Sequence, residues 1–189
     1  MAEFHLEPKP FLGGYHQTFG QTSLSEVTGL AIVSIAIPRG GETELQAAFK
    51  STFGTTIPKP GKYNSSEDGA HRFAGLQIDQ IFALFETAEA DPANTIAAKL
   101  AGTAYTTSQT DNWVALQISG PQAIAALERI CPIDLHPTVF SENSVARTVM
   151  DHMGTIILRQ GPDDFLLLSA SSSARSFLHA VETSLRHVT

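Results

Sequence analysis

Twice along the chain an apolar run of strand character leads into a helix, then a pair of strands, then a second helix. This recurrence constrains the fold more than any single motif, because alternating or continuous apolar runs belong to strands and a 3.6-residue period belongs to helices. In the first round "LAIVSIAI" (30–37) is a buried strand that stops at Pro38 and Gly40. A helix is expected from Thr43, where "TELQ" has the Thr-x-x-Gln form of a capping box, with Leu45, Ala48, Phe49 and Phe53 on its inner face. The Pro-, Gly- and Ser-rich "TTIPKPGKYNSSEDG" is a surface loop, and "RFAGLQIDQIFALFE" alternates as one or two strands. In "DPANTIAAKLAG" Asp91 is the N-cap, Pro92 the first helical residue and Gly102 the stop.

The second round opens on "NWVALQISG", a half-buried strand with Val114, Leu116 and Ile118 on one side and Gln117 and Ser119 on the other. Gly120 and Pro121 start a helix whose Ile124, Leu127 and Ile130 share a face. "SVARTVMDHMGTIILRQGPDDFLLLSA" holds two or three strands with turns near Gly154 and at "GPDD", and an amphipathic helix through Ala174, Phe177, Val181 and Leu185 follows. The order implies an α+β fold of two ferredoxin-like-type βαββαβ units with mainly antiparallel sheets, since a doubly wound parallel sheet needs a helix after nearly every strand. The expected organisation is an N-terminal arm (1–26), a first lobe (27–110) and a second lobe (111–189), together one two-lobed domain. The arm carries Pro8, Pro10, Gly13 and Gly14 and reads as irregular. Its Phe4, Phe11, Tyr15 and Phe19 follow no period, so they pack on their own domain or on another chain.

A chain of 189 residues, 42% hydrophobic and 16% charged, is long enough to bury a large core and leaves much uncharged surface for a partner. Its net charge of -7 disfavours a protein whose task is to neutralise phosphates, so nucleic acid is not an expected partner. One cysteine cannot form an internal disulfide, and the start "MAEFHLEPKPFLGG" has neither a basic nor an apolar signal region, so a cytoplasmic location is expected. No apolar run approaches the roughly 20 residues of a membrane-spanning helix, and a membrane is not an expected partner either.

Residues able to do chemistry are scattered. Neither G-x-G-x-x-G nor G-x-x-x-x-G-K-[ST] occurs, so no classical nucleotide site is expected. The only cysteine, Cys131, precedes His136 by five residues, with Pro132 and Pro137 directly after them. Cys131 stands at a helix C-terminus, whose negative pole raises a thiol pKa, so "CPIDLHP" reads as a rigid connector with Ile133 and Leu135 turned inward and not as a nucleophile with its base. The histidines lack metal-ligand spacing: Asp151 and His152, taken as strand neighbours, point to opposite faces, and His187 near the end of the last helix is favoured there as a cation. Asp163 and Asp164 sit in turn chemistry, and Trp113 is a core anchor. Catalytic, cofactor-binding and metal-binding residues are therefore assigned as none.

The pattern "NWVALQISGPQAIAALERICPIDLHPTVF", followed by "VART", "DHMG" and "DDFLLLSA" before an amphipathic helix, resembles the gamma subunit of heterotetrameric sarcosine oxidase, over about residues 70–187. The resemblance implies a fold similar to the folate-binding aminomethyltransferase and tRNA-modification domain superfamily, and a non-catalytic subunit. It also implies alpha, beta and delta subunits as partners, carrying FAD, FMN, NAD, the tetrahydrofolate site and zinc, in a complex that oxidatively demethylates sarcosine to glycine. This chain itself is then expected to carry no cofactor. The aromatic arm (Phe4, Phe11, Tyr15, Phe19) and the connector residues Asp134, Leu135, His136 and Pro137 are the expected interface. A stand-alone folate-binding or aminomethyl-transfer protein is the rival reading. It needs an acid placed for the pterin, which no carboxylate here matches, and the Lys-Gly-Cys signature of related members is absent, since Ile130 and Arg129 precede Cys131.

Overall fold

The computed structural model describes residues 9–189, so Phe4 lies outside the described residues. Two N-terminal strands, β1 (His16–Phe19) and β2 (Thr22–Glu26), precede β3 (Leu30–Ala36), α1 (Glu42–Phe53), β4 (Tyr63–Ser65), β5 (His71–Gly75), β6 (Gln80–Glu86), α2 (Pro92–Leu100) and β7 (Tyr105–Ser108). The rest of the chain forms β8 (Trp113–Ser119), α3 (Ala123–Glu128), β9 (Val145–Met150), β10 (Met153–Gly161), β11 (Asp164–Ala170) and α4 (Ala174–Arg186). One sheet has the order β4-β5-β6-β3-β7 and the other β9-β10-β11-β8-β2-β1, with every pair antiparallel. The α+β class with antiparallel sheets thus stands.

The two orders superimpose term by term. A helix follows β3 in one sheet and β8 in the other, and a second helix follows β6 and β11. The place that β7 holds beside β3 is held beside β8 by β2, which comes from the far end of the chain. The segment read as an irregular arm is therefore a hairpin from residue 16 onward, and it completes the second lobe. Leu24 and Phe19 point into that lobe's core, 0% and 6% exposed. Only these two large apolar residues mark the strands, among Ser, Thr and Gln, and so the period is faint. The junction is close-packed: a Cβ on Gly120 would lie 2.5 Å from the Gln21 carbonyl oxygen and 2.7 Å from Thr22 Cα. The Gln122 amide donates to the buried Thr22 Oγ1 at 2.9 Å, so the N-terminal strand caps the start of α3 from a hundred residues away.

The sheets pack face to face. Leu30, Ile32, Phe82 and Leu84 of the first meet Ala115, Ile156, Leu158, Leu166 and Leu168 of the second. Helices close the outer faces: Leu45, Phe49, Phe53, Ile96 and Leu100 cover Val33, Ile35, Phe73 and Ile81, while Leu127, Phe177, Val181 and Leu185 cover Val114, Leu116, Ile118 and Leu167. The result is four layers, helix, sheet, sheet, helix. This corrects the half-buried reading of β8, because the face carrying Ala115 is covered by the opposite sheet. It also explains the unbroken apolar runs of β3 and β11, which are buried on both faces.

Three local expectations change. The first helix begins at Glu42 behind Gly41 with no side-chain cap, so Thr43 lies inside it and no capping box forms; Glu42 and Glu44 instead place negative charge at the positive end of the helix dipole. Asp151 and His152 are not strand neighbours but the two central residues of a tight turn, with φ of 45° and 70°, joining the paired Met150 and Met153. Only φ > 0 at both positions matches the twist of a two-residue hairpin, a geometry that Asp and His tolerate better than most residues. Helix α3 buries Ala123, Ala126 and Leu127 and leaves Ile124 half-exposed, because its alanines let α4 come near enough for Ser184 Oγ to donate to the Ala126 carbonyl at 2.6 Å. Asp91 caps α2 as expected, accepting from the Asn94 amide at 3.0 Å.

Two predictions follow from the packing. Leu24→Ala removes a fully buried side chain at the junction of β2 and β8 and is expected to lower stability by about 3 kcal/mol in urea titration; a change within about 0.5 kcal/mol would mean that β2 is a loose attachment. The His71 ring lies among Phe53, Phe73 and Phe85, with centroids 5.2, 6.0 and 4.9 Å away, and its Nδ1 is buried without a partner among the described residues. Burial, followed by the charge of Lys99, pushes its pKa below the usual 6.5. Below that value the unfolded chain takes up a proton that the folded chain resists, so this contribution to stability is full above pH 6.5 and is lost as pH falls through it. Unfolding of His71→Phe between about pH 7 and pH 5 should show a weaker loss of stability than the parent.

Candidate functional site

The helix α3 ends at Glu128, and the next strand does not begin until Val145. The connector between them carries the Cys-Pro and His-Pro steps. Its course is set by one side chain that the sequence reading did not single out, Arg159 of β10. This arginine is 1% exposed, and its guanidinium donates from Nε to the Gly161 carbonyl at 3.1 Å and from Nη1 to the carbonyls of Leu135 and Phe140, each at 2.9 Å. Nη2 donates to the Pro162 carbonyl, and the cation lies over the Phe165 ring, 5.2 Å from its centroid. Four backbone acceptors therefore converge on one buried charge, which fixes both ends of the segment 135–140.

Within that frame the connector folds tightly. The His136 amide donates to Asp134 Oδ1 at 2.9 Å, and the Val139 and Phe140 amides both donate to the His136 carbonyl at 2.9 Å. The His136 ring pairs with the Thr138 hydroxyl through Nδ1 at 2.8 Å. Leu135 and Phe140 are buried, while Asp134, His136, Pro137, Thr138 and Val139 face outward, Val139 with 63% of its surface exposed. Cys131 sits in the core beneath α3 and α4, and burial pushes its thiol pKa up, opposite to what a nucleophile requires. The structure does not bring the cysteine and the histidine together: one turns into the core and the other into solvent.

The remaining singled-out residues have local partners. Tyr15 leans on the second lobe's core and donates its hydroxyl to Glu182 at 2.5 Å; burial, then this bond, raises its pKa. The Glu26 carboxylate accepts from the amides of Leu12 and Gly14 at 3.0 and 2.8 Å and so ties residues 12–15 down. Phe11 is 43% exposed, whereas Phe19 and Leu135 spend their side chains on the chain's own core and offer no surface to a partner. Asp164 accepts from the Gln117 amide, and Arg129 contacts His187 Nδ1 at 3.1 Å. Among the described residues no three of His, Cys, Asp or Glu cluster as metal ligands, and no helix is long and apolar enough to cross a membrane. Trp113 packs against the inter-sheet core, edge-on to Phe82. Arg159 was detectable in principle: "TIILRQG" places an arginine in phase with the inward-facing Ile157, a position where a charge needs a buried set of acceptors.

No family model matches the chain. Among curated proteins it is 26% identical over 164 residues to the sarcosine oxidase subunit gamma of Corynebacterium sp. (strain P-1), covering 86% of this chain and 79% of that protein. It is 24% identical over 152 residues to the subunit of the same name from Arthrobacter sp., covering 80% and 73%. Among solved structures it aligns with a chain of the heterotetrameric sarcosine oxidase from Corynebacterium sp. U-96 in complex with pyrrole 2-carboxylate, at a TM-score of 0.76, 21% identity and coverage of 90% and 87%. It aligns with the glycine cleavage system aminomethyltransferase T from Bartonella henselae at a TM-score of 0.61 and 16% identity, over 85% of this chain and 45% of that one. The chain is thus similar to sarcosine oxidase gamma subunits well beyond residues 70–187, and its fold is aminomethyltransferase-like.

Arg159→Met is expected to cost about 3–5 kcal/mol, because the buried carbonyls of Leu135 and Phe140 and the part-buried ones of Gly161 and Pro162 lose their donor together. Arg159→Lys should also lose about 2 kcal/mol or more, since one ammonium cannot span acceptors arranged around a planar fork. Urea titration measures both, and limited proteolysis should cut first between residues 132 and 143. A lysine variant as stable and as protease-resistant as the parent would show that the connector is held by other contacts.

Proposed function

We propose that this chain is a non-catalytic gamma-type subunit of a cytoplasmic heterotetrameric sarcosine oxidase, which supports assembly of the complex that oxidatively demethylates sarcosine to glycine. The observation that carries this is similarity along 86% of the chain to a sarcosine oxidase gamma subunit, joined to a fold that aligns at a TM-score of 0.76 with a chain of such an oxidase. The chemistry of the chain agrees with a supporting role. Its one thiol is buried with a raised pKa, and its connector imidazole is engaged by Thr138. In this reading FAD, FMN, NAD, tetrahydrofolate and zinc reside on the alpha, beta and delta subunits, and this chain carries none of them.

Docking is assigned to the surface that the connector and the N-terminal segment present. Asp134, His136, Pro137 and Val139 on the connector and Phe11 on the segment are exposed; bonds to the Asp134 carboxylate and the His136 carbonyl hold the connector, and the Glu26 carboxylate holds the Leu12 and Gly14 amides of the segment. Such a surface has little side-chain and loop freedom left to lose on binding. When this chain is co-expressed with the alpha, beta and delta chains, a tag on it should retrieve all three, and His136→Glu together with Val139→Glu should reduce the yield at least several-fold without lowering the melting temperature of the isolated chain. The isolated chain should be colourless. A flavin band in its visible spectrum, or methyl transfer to tetrahydrofolate by this chain alone, would favour the stand-alone aminomethyl-transfer reading instead.

A further inference from the structure

The first sheet is one strand short of the second. Its order β4-β5-β6-β3-β7 superimposes on β9-β10-β11-β8-β2, but the second sheet continues to a sixth strand, β1, paired antiparallel with β2, whereas the first ends at β7. We propose that the free edge of β7 receives an extended segment of a partner subunit as an antiparallel sixth strand. The inference rests on the docking role proposed above and names a further contact through which that role is exercised.

The pairing settles which backbone groups this edge offers. The Gln109 amide donates to the Ile32 carbonyl at 2.7 Å, and on the other side of β3 the Ile37 amide donates to the Asp79 carbonyl at 2.9 Å. Successive residues of an antiparallel strand turn their N–H and C=O groups to alternate sides, so Ile32, Ser34 and Ala36 face β7 while Val33, Ile35 and Ile37 face β6. Opposite Ser34 and Ala36 stand Thr107 and Tyr105, whose backbones therefore face β3. Thr106 and Ser108 turn amide and carbonyl the other way, where no strand stands among the described residues. The edge thus presents two donors and two acceptors at strand spacing.

Nothing in the strand blocks their use. The register with β3 runs unbroken from Tyr105 opposite Ala36 to Ser108 opposite Val33, and the sequence Tyr-Thr-Thr-Ser has no charge and no proline, the devices that keep strand edges from pairing. Two other terminal strands differ: a bridge between Lys62 and Ser144 ties β4 to the second lobe, and β9 carries Arg147. Thr106 Oγ1 donates to the Ala93 carbonyl of α2 at 3.0 Å, so the template is held from behind before anything binds.

The same geometry describes the occupant. Tyr105 is 71% exposed. Because its own backbone faces β3, an entering strand meets it in a non-hydrogen-bonded pair, where side chains stand closest, and an aromatic or β-branched residue fits opposite its ring. A second copy of the chain fits less well. An edge of four residues supplies only a small part of the roughly 1,200 Å² that a stable interface buries, and two copies each carrying a net charge of -7 repel. A subunit already docked elsewhere presents its segment at high effective concentration, so a few backbone bonds suffice.

Hydrogen exchange tests the contact, on the isolated chain and on the complex with co-expressed alpha, beta and delta subunits. Within residues 105–109 two amides, those of Thr106 and Ser108, should exchange freely in the isolated chain and be slowed about a hundredfold or more in the complex. Ser108→Pro removes one outward donor at a place where an edge strand tolerates proline, and Tyr105→Lys supplies the charge that the edge lacks. Each should speed dissociation from the complex by about tenfold and leave the melting temperature of the isolated chain within about 2 °C of the parent. Amides of Thr106 and Ser108 that exchange as fast in the complex as alone overturn the inference and leave the docking role intact, as does dissociation of both variants at the parent's rate. A concentration-dependent dimer of the isolated chain that Ser108→Pro abolishes assigns the edge to a second copy and overturns it too. If a tag on the parent chain retrieves none of the three subunits, the docking role fails first, and this inference with it.

Discussion

A buried guanidinium that no carboxylate of the described residues pairs with is the constraint on which the shape of the second lobe depends. Withdrawing such a charge from water costs several kcal/mol even after relaxation, so it persists only where the fold supplies acceptors all round. Arg159 meets that condition with the carbonyls of Leu135 and Phe140 from the connector and of Gly161 and Pro162 from the turn between β10 and β11. Its own backbone extends the tie across the molecule. The Arg159 carbonyl accepts from Tyr63 Oη at 3.2 Å and from the Asn143 amide at 3.1 Å, and the Tyr63 amide donates to the Asn143 carbonyl at 2.9 Å. Lys62 Nζ adds bonds to Ser141 and Ser144 at 2.9 and 2.8 Å. One arginine thus organises the connector, the following turn and the contact between lobes. An apolar residue of equal volume would pack there, but it would not specify this path of the chain.

The second constraint is topological. In each lobe the strand after the first helix, its hairpin partner and the second helix build a split unit whose last position lies beside the opening strand. In the first lobe β7 fills that position soon after α2, whereas in the second lobe it is filled by β2, with Leu24 opposite Ile118. Such pairings close late, because loop-closure entropy is lost before the contact is gained. Until they close, β8 presents a free edge next to Val114 and Leu116, a surface open to pairing with other chains. Gly120 and Thr22 make the closure specific: the first permits contact between backbones, and the second caps a helix only when the strand is in place.

How much of this was legible in the residues depends on the signal each element sends. The strands buried on both faces, β3 and β11, announce themselves as continuous apolar runs, and α4 does so through Ala174, Phe177, Val181 and Leu185, all buried as its period requires. The Asp91–Pro92 start of α2 is equally plain, since cap and first-turn chemistry is local. What stayed hidden is what depends on distant partners. The hairpin of residues 16–26 looks polar because one of its strands is an edge and the other is completed by a single leucine. The turn at Asp151–His152 lacks the glycine that usually marks a left-handed pair. For the candidate site, the rigid "CPIDLHP" connector was readable from its prolines, but the arginine that holds it lies more than twenty residues downstream and is known only by its register.

The position of this chain among its relatives then has a physical meaning. The likeness to the aminomethyltransferase covers 45% of that protein's length and, at 16% identity, speaks of fold alone. A shared arrangement of layers does not bring shared chemistry, because chemistry resides in side chains aimed at a cleft. Here the side chains that converge do so on backbone carbonyls, and what they produce is a fixed surface. The His136 and Pro137 pair stands outward on a loop whose flanks, Leu135 and Phe140, are anchored by the same guanidinium. A loop ordered before contact loses little conformational freedom on contact, so even a small patch of this kind can hold two subunits in a set register. In this chain the donors of one buried side chain, Arg159, go to the backbone carbonyls that hold this loop still.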